Sequence, residues 1–457
     1  MTLVSTNPAT ERPLQRYELH SCAEIENRLA QAATAQLAWA QVDIEQRCGA
    51  LRRIADVLRQ KRAAYALLIT REMGKPITEA ESEIEKCAAT CEFYASQAPV
   101  FLADLPVSTS AADSRVVFDP LGVVLAVMPW NYPFWQFIRF AAPALAAGND
   151  AILKHANNVP GCALALEQLF VEAGLPDGLI GTVLIDASQV AALLADERIA
   201  AVTLTGSTAV GKLVAAQAGA LMKKQVLELG GSDPFIVLAD ADIEAAAAAA
   251  VKARFSNTGQ SCISSKRFII EQSVADRFVE AFVRRVETLK VGDPEAPDTQ
   301  MGPLARASLR ADIHAQVTRS IEAGAKLLTG GQPLPGPGFF YPPTVLDHVT
   351  PAMAAATEET FGPAAAVIRV EDARQAIEIA NATEFGLGAA LWTSDLERAS
   401  ALARQIQAGA VFINALVASD ARVPFGGIKQ SGYGRELGDF GIREFTNIKT
   451  VWQGPNH

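Results

Sequence analysis

Apolar segments alternate with amphipathic segments between residues 122 and 229. Short runs rich in Val, Ile and Leu end at turn residues, and each is followed by a stretch with the apolar spacing of a helix. This alternation predicts a parallel α/β sheet, with ligands bound beyond the carboxyl ends of its strands. The predicted strands are 123–128, 151–154, 182–185, 201–205 and 224–229, and the predicted helices are 135–147, 161–173, 189–195 and 207–220.

Residues 1–107 are predicted to be mainly helical, because apolar residues such as Leu51 and Ile54 recur at helical spacing. One helical block is predicted over residues 61–97. Its acidic part, residues 79–85, is typical of a solvated helix face rather than of a binding site.

Residues 116–118 and 123–127 flank a turn signal, Asp119-Pro120-Leu121-Gly122, and we expect them to form a hairpin that projects as an arm. Residues 446–453 are also strand-like, and we expect them to pair with this arm. A second α/β run extends from residue 233 to residue 423. Its predicted strands are 267–270, 365–370, 389–393 and 410–414, and a helix is predicted over 243–254.

The composition narrows the class of protein. A chain of 457 residues is too long for one hydrophobic core, so we expect two or three lobes. Its net charge of −10 argues against nucleic acid or an anionic membrane as the main partner. We expect no signal peptide, and the six scattered cysteines fit a reducing cytoplasm better than a disulfide scaffold. The five histidines have no metal-binding spacing, so no metal site is expected.

One cysteine, Cys262, directly follows a short polar segment, Asn257–Ser261, between a predicted helix and a predicted strand. We expect the backbone N–H groups of this turn to stabilise the thiolate, which is the nucleophilic form of cysteine. The alternative is a structural cysteine, because free cysteines are among the most buried residues. This segment alone does not decide between the two.

Three further turns follow predicted strands. Asn131 offers a side-chain N–H to a developing oxyanion, or caps the next helix. Glu228 ends a strand before two glycines, where it faces a cleft or serves a structural role. No GxGxxG motif is present, but Thr205-Gly206-Ser207 opens a helix whose free amides suit a phosphate.

Together these segments resemble the aldehyde dehydrogenase superfamily in order and spacing, over nearly the whole chain. The similarity also includes segments outside the four turns. The matching motifs are Trp130-Asn131 with Pro133, Thr205-Gly206-Ser207, Glu228-Leu229-Gly230-Gly231, Gly259-Gln260-Ser261-Cys262, Glu358-Glu359-Thr360-Phe361-Gly362-Pro363 and Pro424-Phe425-Gly426-Gly427.

The resemblance implies an α/β fold with two Rossmann-like parallel domains and a β-arm for oligomerisation. It implies a cofactor-binding domain of residues 1–107 and 127–230, a catalytic domain of residues 231–423, and an arm of residues 108–126 and 440–457. A homodimer or homotetramer is the expected assembly.

The same resemblance implies catalytic roles. Cys262 resembles the nucleophile, which attacks the aldehyde carbon to give a thiohemiacetal and, after hydride transfer, a thioester. Asn131 and the backbone N–H of Cys262 resemble the oxyanion hole, and Glu228 resembles the general base that activates water.

NAD or NADP is the implied cofactor. Asn157 stands where members that prefer NAD usually carry Glu, whose charge repels a 2′-phosphate, so we expect dual use or a preference for NADP. The implied cofactor contacts are Trp130, Lys154, Asn157, Gly206, Ser207, Glu359 and Phe361.

The substrate assignment rests on a resemblance to the short succinate-semialdehyde dehydrogenase branch. Trp135 and Arg139 are four residues apart on one predicted helix face, and Ser419 precedes the Pro424 motif. Arg139 and Ser419 are expected to hold a substrate carboxylate. For Arg139 the alternative is an ion pair with a structural acid. Glutarate semialdehyde or another small aldehyde is an alternative substrate, and a cysteine hydrolase using Cys262 and Glu228 is an alternative class.

Overall fold

The apolar runs of the chain form an α/β fold in the computed structural model, which describes residues 2–454. The part before the first central strand contains mostly helices. In chain order its elements are β1 (Thr2–Thr6), β2 (Pro13–Glu18), α1 (Cys22–Trp39), α2 (Ile44–Gln60), α3 (Arg62–Met73), α4 (Ile77–Phe101), β3 (Leu105–Pro106) and β4 (Asp113–Pro120).

The next part alternates strands with helices, as the sequence pattern predicts. Its elements are β5 (Val123–Met128), α5 (Trp135–Ala146), β6 (Asp150–His155), α6 (Pro160–Glu172), β7 (Ile180–Thr182), a 3₁₀ helix (Ala187–Gln189), α7 (Val190–Ala195), β8 (Ile199–Thr205), α8 (Thr208–Ala220) and β9 (Lys224–Glu228). These strands form a six-stranded sheet in the order β9-β8-β5-β6-β7, which a later strand, β17, completes beside β9.

The remaining chain builds a second sheet. Its first elements are β10 (Asp233–Val237), α9 (Ile243–Phe255), a 3₁₀ helix (Ser256–Gly259), β11 (Ser265–Glu271), α10 (Gln272–Val286), α11 (Ala307–Glu322), β12 (Lys326–Thr329), β13 (Thr344–Asp347), α12 (Ala354–Thr357) and β14 (Ala364–Val370). The later elements are α13 (Ala373–Asn381), β15 (Gly388–Trp392), α14 (Leu396–Ala403), β16 (Ala410–Ile413), a 3₁₀ helix (Lys429–Ser431), β17 (Gly432–Tyr433), α15 (Gly438–Glu444) and β18 (Thr446–Gln453). The seven strands of this sheet follow the order β12-β13-β14-β11-β10-β15-β16.

The predicted hairpin of residues 116–118 and 123–127 is wrong. β4 pairs antiparallel with β18 and β3, whereas β5 pairs parallel with β6 and β8 in the six-stranded sheet. β5 reads as a continuous apolar run with both faces covered, which is the pattern of a central parallel strand rather than of an arm. Residues 123–126 therefore belong to the six-stranded sheet and not to the arm.

The expected pairing of the C-terminal strand with the arm is present, with Thr446 opposite Pro120 and Gln453 opposite Asp113. Residues 455–457 of the predicted arm lie outside the described residues. The helix α15 precedes β18, so only the last part of the predicted 440–457 segment is a strand.

The predicted helical block over residues 61–97 is two helices. α3 ends at Met73 and is followed by Gly74, whose φ of +83° is left-handed, and Pro76 precedes α4. A Cβ at Gly74 would lie 2.8 Å from the Pro303 side chain, so the close approach of a distant loop also requires glycine there. The strand predicted at 182–185 is shifted to Ile180–Thr182.

The part of the chain that the structure describes has neither a membrane-spanning helix nor a cluster of metal ligands. None of the helices within residues 2–454 combines the length and the apolar character needed to cross a bilayer. In the same residues, no three or more His, Cys, Asp or Glu side chains come together as metal ligands.

Candidate active site

Three of the four predicted turns meet at the carboxyl edge of the six-stranded sheet. Asn131 follows β5, Ser207 follows β8 and Glu228 ends β9, and these strands are neighbours. Cys262 reaches this edge from the turn before β11 of the other sheet. The sequence motifs, distant along the chain, are therefore brought together where a parallel α/β sheet binds its ligands.

Two cavities adjoin Cys262. The sheet-edge cavity, of about 220 Å³, lies at the strand ends; the helix-side cavity, of about 300 Å³, lies against α4 and α5. Cys262 and Gln136 line both cavities, whereas Asn131 lines only the sheet-edge cavity. The sulfur thus stands on the wall between two separate spaces.

The turn that carries Cys262 is held in an unusual backbone conformation. Asn257 and Thr258 have φ values of 52° and 56°, in the left-handed region that non-glycine residues rarely adopt. Asn257 Nδ2 donates to the carbonyl of Asn131 at 2.9 Å, and its backbone N–H donates to Glu79 Oε2 at 2.7 Å. Lys266 Nζ donates to the carbonyl of Cys262 at 2.7 Å. Contacts from three elements therefore compensate for the strain and position the cysteine.

The expectation that turn amides stabilise a Cys262 thiolate is wrong. No N–H group of residues 2–454 donates to the sulfur, and burial raises the pKa of Cys262 to about 12. Arg139 and Lys266 lower this pKa, but by less than burial raises it. The resting side chain is therefore a thiol, and its proton has to be removed during the reaction.

Asn131 is fixed with one N–H available. Its Nδ2 donates to the carbonyl of Gln260 at 2.9 Å, and its Oδ1 accepts from Gln136 Nε2 at 3.1 Å. An amide nitrogen carries two hydrogens, so the second remains free for a ligand oxygen. The backbone N–H of Cys262 also makes no hydrogen bond to residues 2–454. Two donors are thus ready near the sulfur, as an oxyanion hole requires.

Glu228 is 2 % exposed and lines neither cavity directly. Neither of its carboxylate oxygens has a hydrogen-bond donor within residues 2–454. Burial raises the pKa of Glu228 to about 8, and the neighbouring Glu436 adds to the shift, while Arg139 opposes it. A carboxyl group with a pKa near neutrality is suited to proton transfer.

Five of the predicted cofactor contacts line the sheet-edge cavity. Phe361 meets Trp130 edge to face with 5.8 Å between ring centroids, and Glu359 Oε1 accepts from the backbone N–H of Gly231 at 3.0 Å. Ser207 caps α8 by accepting from Val210 N at 3.5 Å, so the first amides of the helix stay free. The five residues are Trp130, Gly206, Ser207, Glu359 and Phe361.

Lys154, near the end of β6, and Asn157, just after that strand, do not line the sheet-edge cavity. Lys154 Nζ donates to Asn157 Oδ1 at 2.9 Å, so the two predicted contacts form one polar pair. His155 between them is structural: its Nε2 meets the carbonyl of Pro133 at 2.9 Å, and burial lowers the pKa of this histidine to about 4. The imidazole is therefore neutral and adds no charge to this part of the edge.

Arg139 lines the helix-side cavity, but its charge is already paired. The guanidinium forms a buried ion pair with Glu436 and stacks on Phe425 at 4.8 Å from the ring centroid. Trp135 and Ser419 line the same cavity, as the sequence predicts. Arg139 therefore does form the ion pair with a structural acid that the sequence left open as an alternative. Its side chain nevertheless borders the helix-side cavity.

Comparison with known proteins gives the family. The model of the aldehyde dehydrogenase family matches residues 1–451 of the chain. The chain belongs to the aldehyde dehydrogenase family.

Several relatives of this aldehyde dehydrogenase have been named. A probable succinate-semialdehyde dehydrogenase, NADP(+), of Synechocystis sp. is 50% identical, covering 99% of this chain and 100% of that protein. The succinate semialdehyde dehydrogenase, NAD(P)+, of Escherichia coli is 48% identical, covering 98% of this chain and 97% of that protein. The crystal structure of succinic semialdehyde dehydrogenase from Streptococcus pyogenes with NADP+ superposes with a TM-score of 0.97 at 37% identity, covering 99% of this chain and 100% of that one.

The expectation that residues 79–85 of this aldehyde dehydrogenase form a solvated face is wrong. Glu79, Glu83 and Lys86 line the helix-side cavity. Glu83 is 3% exposed, pairs with Lys75, and accepts from the backbone N–H groups at the start of α5. Residues 79, 83 and 86 are four and three positions apart, so they lie on one face of α4. This spacing was visible in the sequence.

Sequence reasoning also missed Glu436, Arg306 and Lys266. Arg306 lies 5.5 Å from the ring centroid of Trp130 in the sheet-edge cavity, and Lys266 is buried behind Cys262. Glu436 follows the Pro424 motif. It pairs with Arg139 of α5, a residue that only tertiary folding brings near it. No local motif marks these three residues.

Proposed function

We propose that this enzyme oxidises succinate semialdehyde to succinate with NADP or NAD as hydride acceptor. One observation carries the proposal: Cys262 stands between the sheet-edge cavity, which suits a dinucleotide, and the helix-side cavity, whose free donors suit an anionic aldehyde. The relatives named succinate-semialdehyde dehydrogenases, at 48–50% identity over nearly their full length, support the same substrate.

In the first step, the Cys262 sulfur attacks the aldehyde carbon from the wall of the helix-side cavity. The thiol proton passes through solvent water to the aldehyde oxygen as the S–C bond forms, because burial keeps the resting sulfur protonated, and this proton returns to solvent when the hydride leaves. We propose Asn131 Nδ2 and the Cys262 backbone N–H as donors to the oxygen, because each keeps a free N–H. When bound, the nicotinamide supplies the acceptor for the hydride, and Cys262 is left as a thioester.

In the second step, Glu228 removes a proton from water that attacks the thioester. Only deprotonated Glu228 acts as a base. Because its pKa is raised to about 8, thioester hydrolysis should be slow at neutral pH and faster above pH 8. The positive charge of Arg139, which pairs with Glu436, also lowers the pKa of Glu228. The proposed role of Arg139 is therefore double: it borders the substrate and moderates the charge of the base.

The residues present fit a dinucleotide at the sheet edge. The free amides at the start of α8, beside Gly206 and Ser207, suit the pyrophosphate. Lys154 and the neutral Asn157 suit an adenosine ribose that carries a 2′-phosphate. A Cβ at Gly230 would lie 2.5 Å from Glu359, so glycine keeps the carboxylate close to this edge.

The nicotinamide end of the dinucleotide would lie near Cys262. We propose Trp130, Glu359 and Phe361 as its contacts, because these side chains line the sheet-edge cavity together with the sulfur. The substrate contacts that we propose are Trp135, Arg139 and Ser419 in the helix-side cavity.

The assembly and the compartment are also proposals. Residues 1–107 and 123–230 would bind the cofactor and residues 231–423 would carry catalysis. The β4–β18 pair, with exposed Ile448 and Trp452, supports an arm that joins copies into a homodimer or homotetramer. Six cysteines without a disulfide partner fit a reducing compartment such as the cytoplasm.

Initial rates on an aldehyde panel with each cofactor test the proposal. Succinate semialdehyde should give a higher kcat/KM than butanal, and NADP should be used at least as well as NAD. A preference for glutarate semialdehyde would keep the enzyme class but change the substrate. Ester cleavage without cofactor reduction would favour a cysteine hydrolase, which lacks support because no histidine is among the residues lining either cavity.

A further inference from the structure

One cation in the helix-side cavity has no acidic partner. Lys86 of α4 lines this cavity with Trp135, Ser419 and Cys262. Its Nζ donates to Ser419 Oγ at 2.8 Å and lies 4.2 Å from the centroid of the Trp135 ring. No carboxylate of residues 2–454 forms an ion pair with it. A largely enclosed ammonium held only by a hydroxyl and a ring is an incomplete anion site.

The other charges that face Lys86 are already neutralised. Glu83 accepts from Lys75 and from two backbone amides, and Arg139 pairs with Glu436. The last two acids are Asp420, which pairs with Arg422, and Glu79, which accepts from Asn257 N while burial raises the pKa of Glu79 to about 7. Burial, and then the nearby Arg139, lower the pKa of Lys86 to about 8, so Lys86 is mainly protonated at pH 7 and is the cation of this cavity that lacks an ion pair in the part of the chain that the structure describes.

We propose that Lys86 binds the distal carboxylate of the aldehyde substrate, with Ser419 as the second donor, while the aldehyde lies at Cys262. An ammonium has three N–H groups, of which one is used by Ser419 Oγ, so two remain for a carboxylate. The Ser419 O–H is free to donate to the same carboxylate. This inference rests on the proposed function and names the residue that sets its substrate class.

Lys86 and Arg139 differ in what they offer a ligand. The Arg139 guanidinium is held by Glu436, so an incoming carboxylate would compete with a buried carboxylate for it. Lys86 makes no such pair, and a substrate carboxylate would supply the missing counter-charge. The direct electrostatic contact is therefore assigned to Lys86, and Arg139 contributes mainly through its position beside Glu228.

Three variants test the assignment. Lys86→Met keeps the length of the side chain without its charge, Lys86→Arg keeps the charge, and Lys326→Met removes an exposed lysine far from the cavity as a control. We expect Lys86→Met to raise KM for succinate semialdehyde about 10- to 100-fold and to leave KM for butanal nearly unchanged. Lys86→Arg should restore most of the lost affinity, and the control should match the wild type. An equal change for both aldehydes, or no change for either, would overturn the proposal.

A second readout does not depend on turnover. Succinate should slow the alkylation of Cys262 by iodoacetamide in the wild type and in Lys86→Arg, but not in Lys86→Met. If the wild type fails to oxidise succinate semialdehyde, the proposed function is lost, and this protection still decides the role of Lys86. Equal protection in wild type and Lys86→Met would reject Lys86 as a carboxylate site whichever substrate the enzyme uses.

Discussion

The two cavities beside Cys262 are built in different ways. The sheet-edge cavity is lined on one side by the turns that follow β5, β8 and β9, and on the other by side chains that include Arg306, Glu359 and Phe361. The helix-side cavity is formed by long side chains from α4 and α5 and from the loop around Ser419. One cavity therefore takes much of its lining from turns of the six-stranded sheet, whereas the other is lined mainly by side chains from helices and later loops.

This difference separates the reaction from its specificity. A dinucleotide is recognised by strand ends and helix termini, which any parallel α/β sheet provides. The aldehyde is recognised by charged side chains on helices, which are free to change without disturbing the sheet. Changes at Cys262, and at the residues that act on its bound oxygen or acyl group, should therefore affect every substrate, whereas changes at residues that contact only the cofactor or only the aldehyde chain should affect that ligand alone.

The largest expected effect is at the residues that act on the acyl group carried by Cys262. Glu228→Gln should lower steady-state turnover about 10²- to 10⁴-fold, because the general base that releases the thioester is lost. The loss should be similar for succinate semialdehyde and butanal. Rapid mixing should still give a burst of reduced cofactor, since hydride transfer precedes hydrolysis. Full steady-state turnover in this variant would show that another group activates water.

Asn131→Ala should lower kcat about 10²- to 10³-fold, because one of two oxyanion donors is removed. Asn131→Asp is a matched variant that keeps the size but cannot donate from an ionised carboxylate, and it should be at least as impaired. Single-turnover rates check the result for both aldehydes. A loss confined to one aldehyde would assign Asn131 to substrate recognition rather than to oxyanion stabilisation.

These predictions rest on residues that local sequence motifs identify well. Asn131 follows β5, Glu228 ends β9 and Cys262 precedes β11, and a short-range apolar pattern identifies the ends of such strands. The strands β5, β8 and β9 were placed within a few residues for the same reason. The order of these strands in the sheet depends on tertiary pairing and cannot be read from local sequence. However, parallel strands share one carboxyl edge, so their turns are expected to lie on the same side of the sheet.

The helix-side cavity was harder to predict for a physical reason. Lys86 meets Ser419, and Arg139 meets Glu436, across hundreds of residues of chain, and no local spacing encodes such contacts. The acidic stretch of α4 has the composition of a solvated face, yet Glu83 is buried because Lys75 and backbone amides compensate its charge. The pKa of Cys262 also depends on burial, which a turn sequence does not reveal.

A smaller effect is expected at the far end of the sheet edge. Asn157→Glu should lower kcat/KM for NADP relative to NAD at least about tenfold, because a carboxylate repels the 2′-phosphate. Asn157→Gln has the same length without charge and should keep the wild-type ratio. The aldehyde preference should be unaffected in both variants. A matching loss with both cofactors would mean that Asn157 does not distinguish them.

The smallest expected effect is the pH dependence of thioester release. The pKa of Glu228 is raised to about 8, so the carboxyl is mostly protonated at pH 7 and loses its proton as the pH rises. The release rate should increase roughly tenfold between pH 7 and pH 9, because only the ionised form acts as base. The rate of thioester release is measured as the steady-state rate after the initial burst of reduced cofactor has ended. A rate that falls over this range would contradict the assignment of Glu228 as base.

The central claim is that the Cys262 sulfur carries the acyl group between the two cavities. The most direct test mixes Glu228→Gln with succinate semialdehyde and NADP, quenches the sample in acid and locates the modification by peptide mass spectrometry. We expect one succinyl group on the peptide that contains Cys262, formed in step with reduced cofactor. Reduced cofactor without acylation of Cys262, or a succinyl group on another cysteine, would contradict the account.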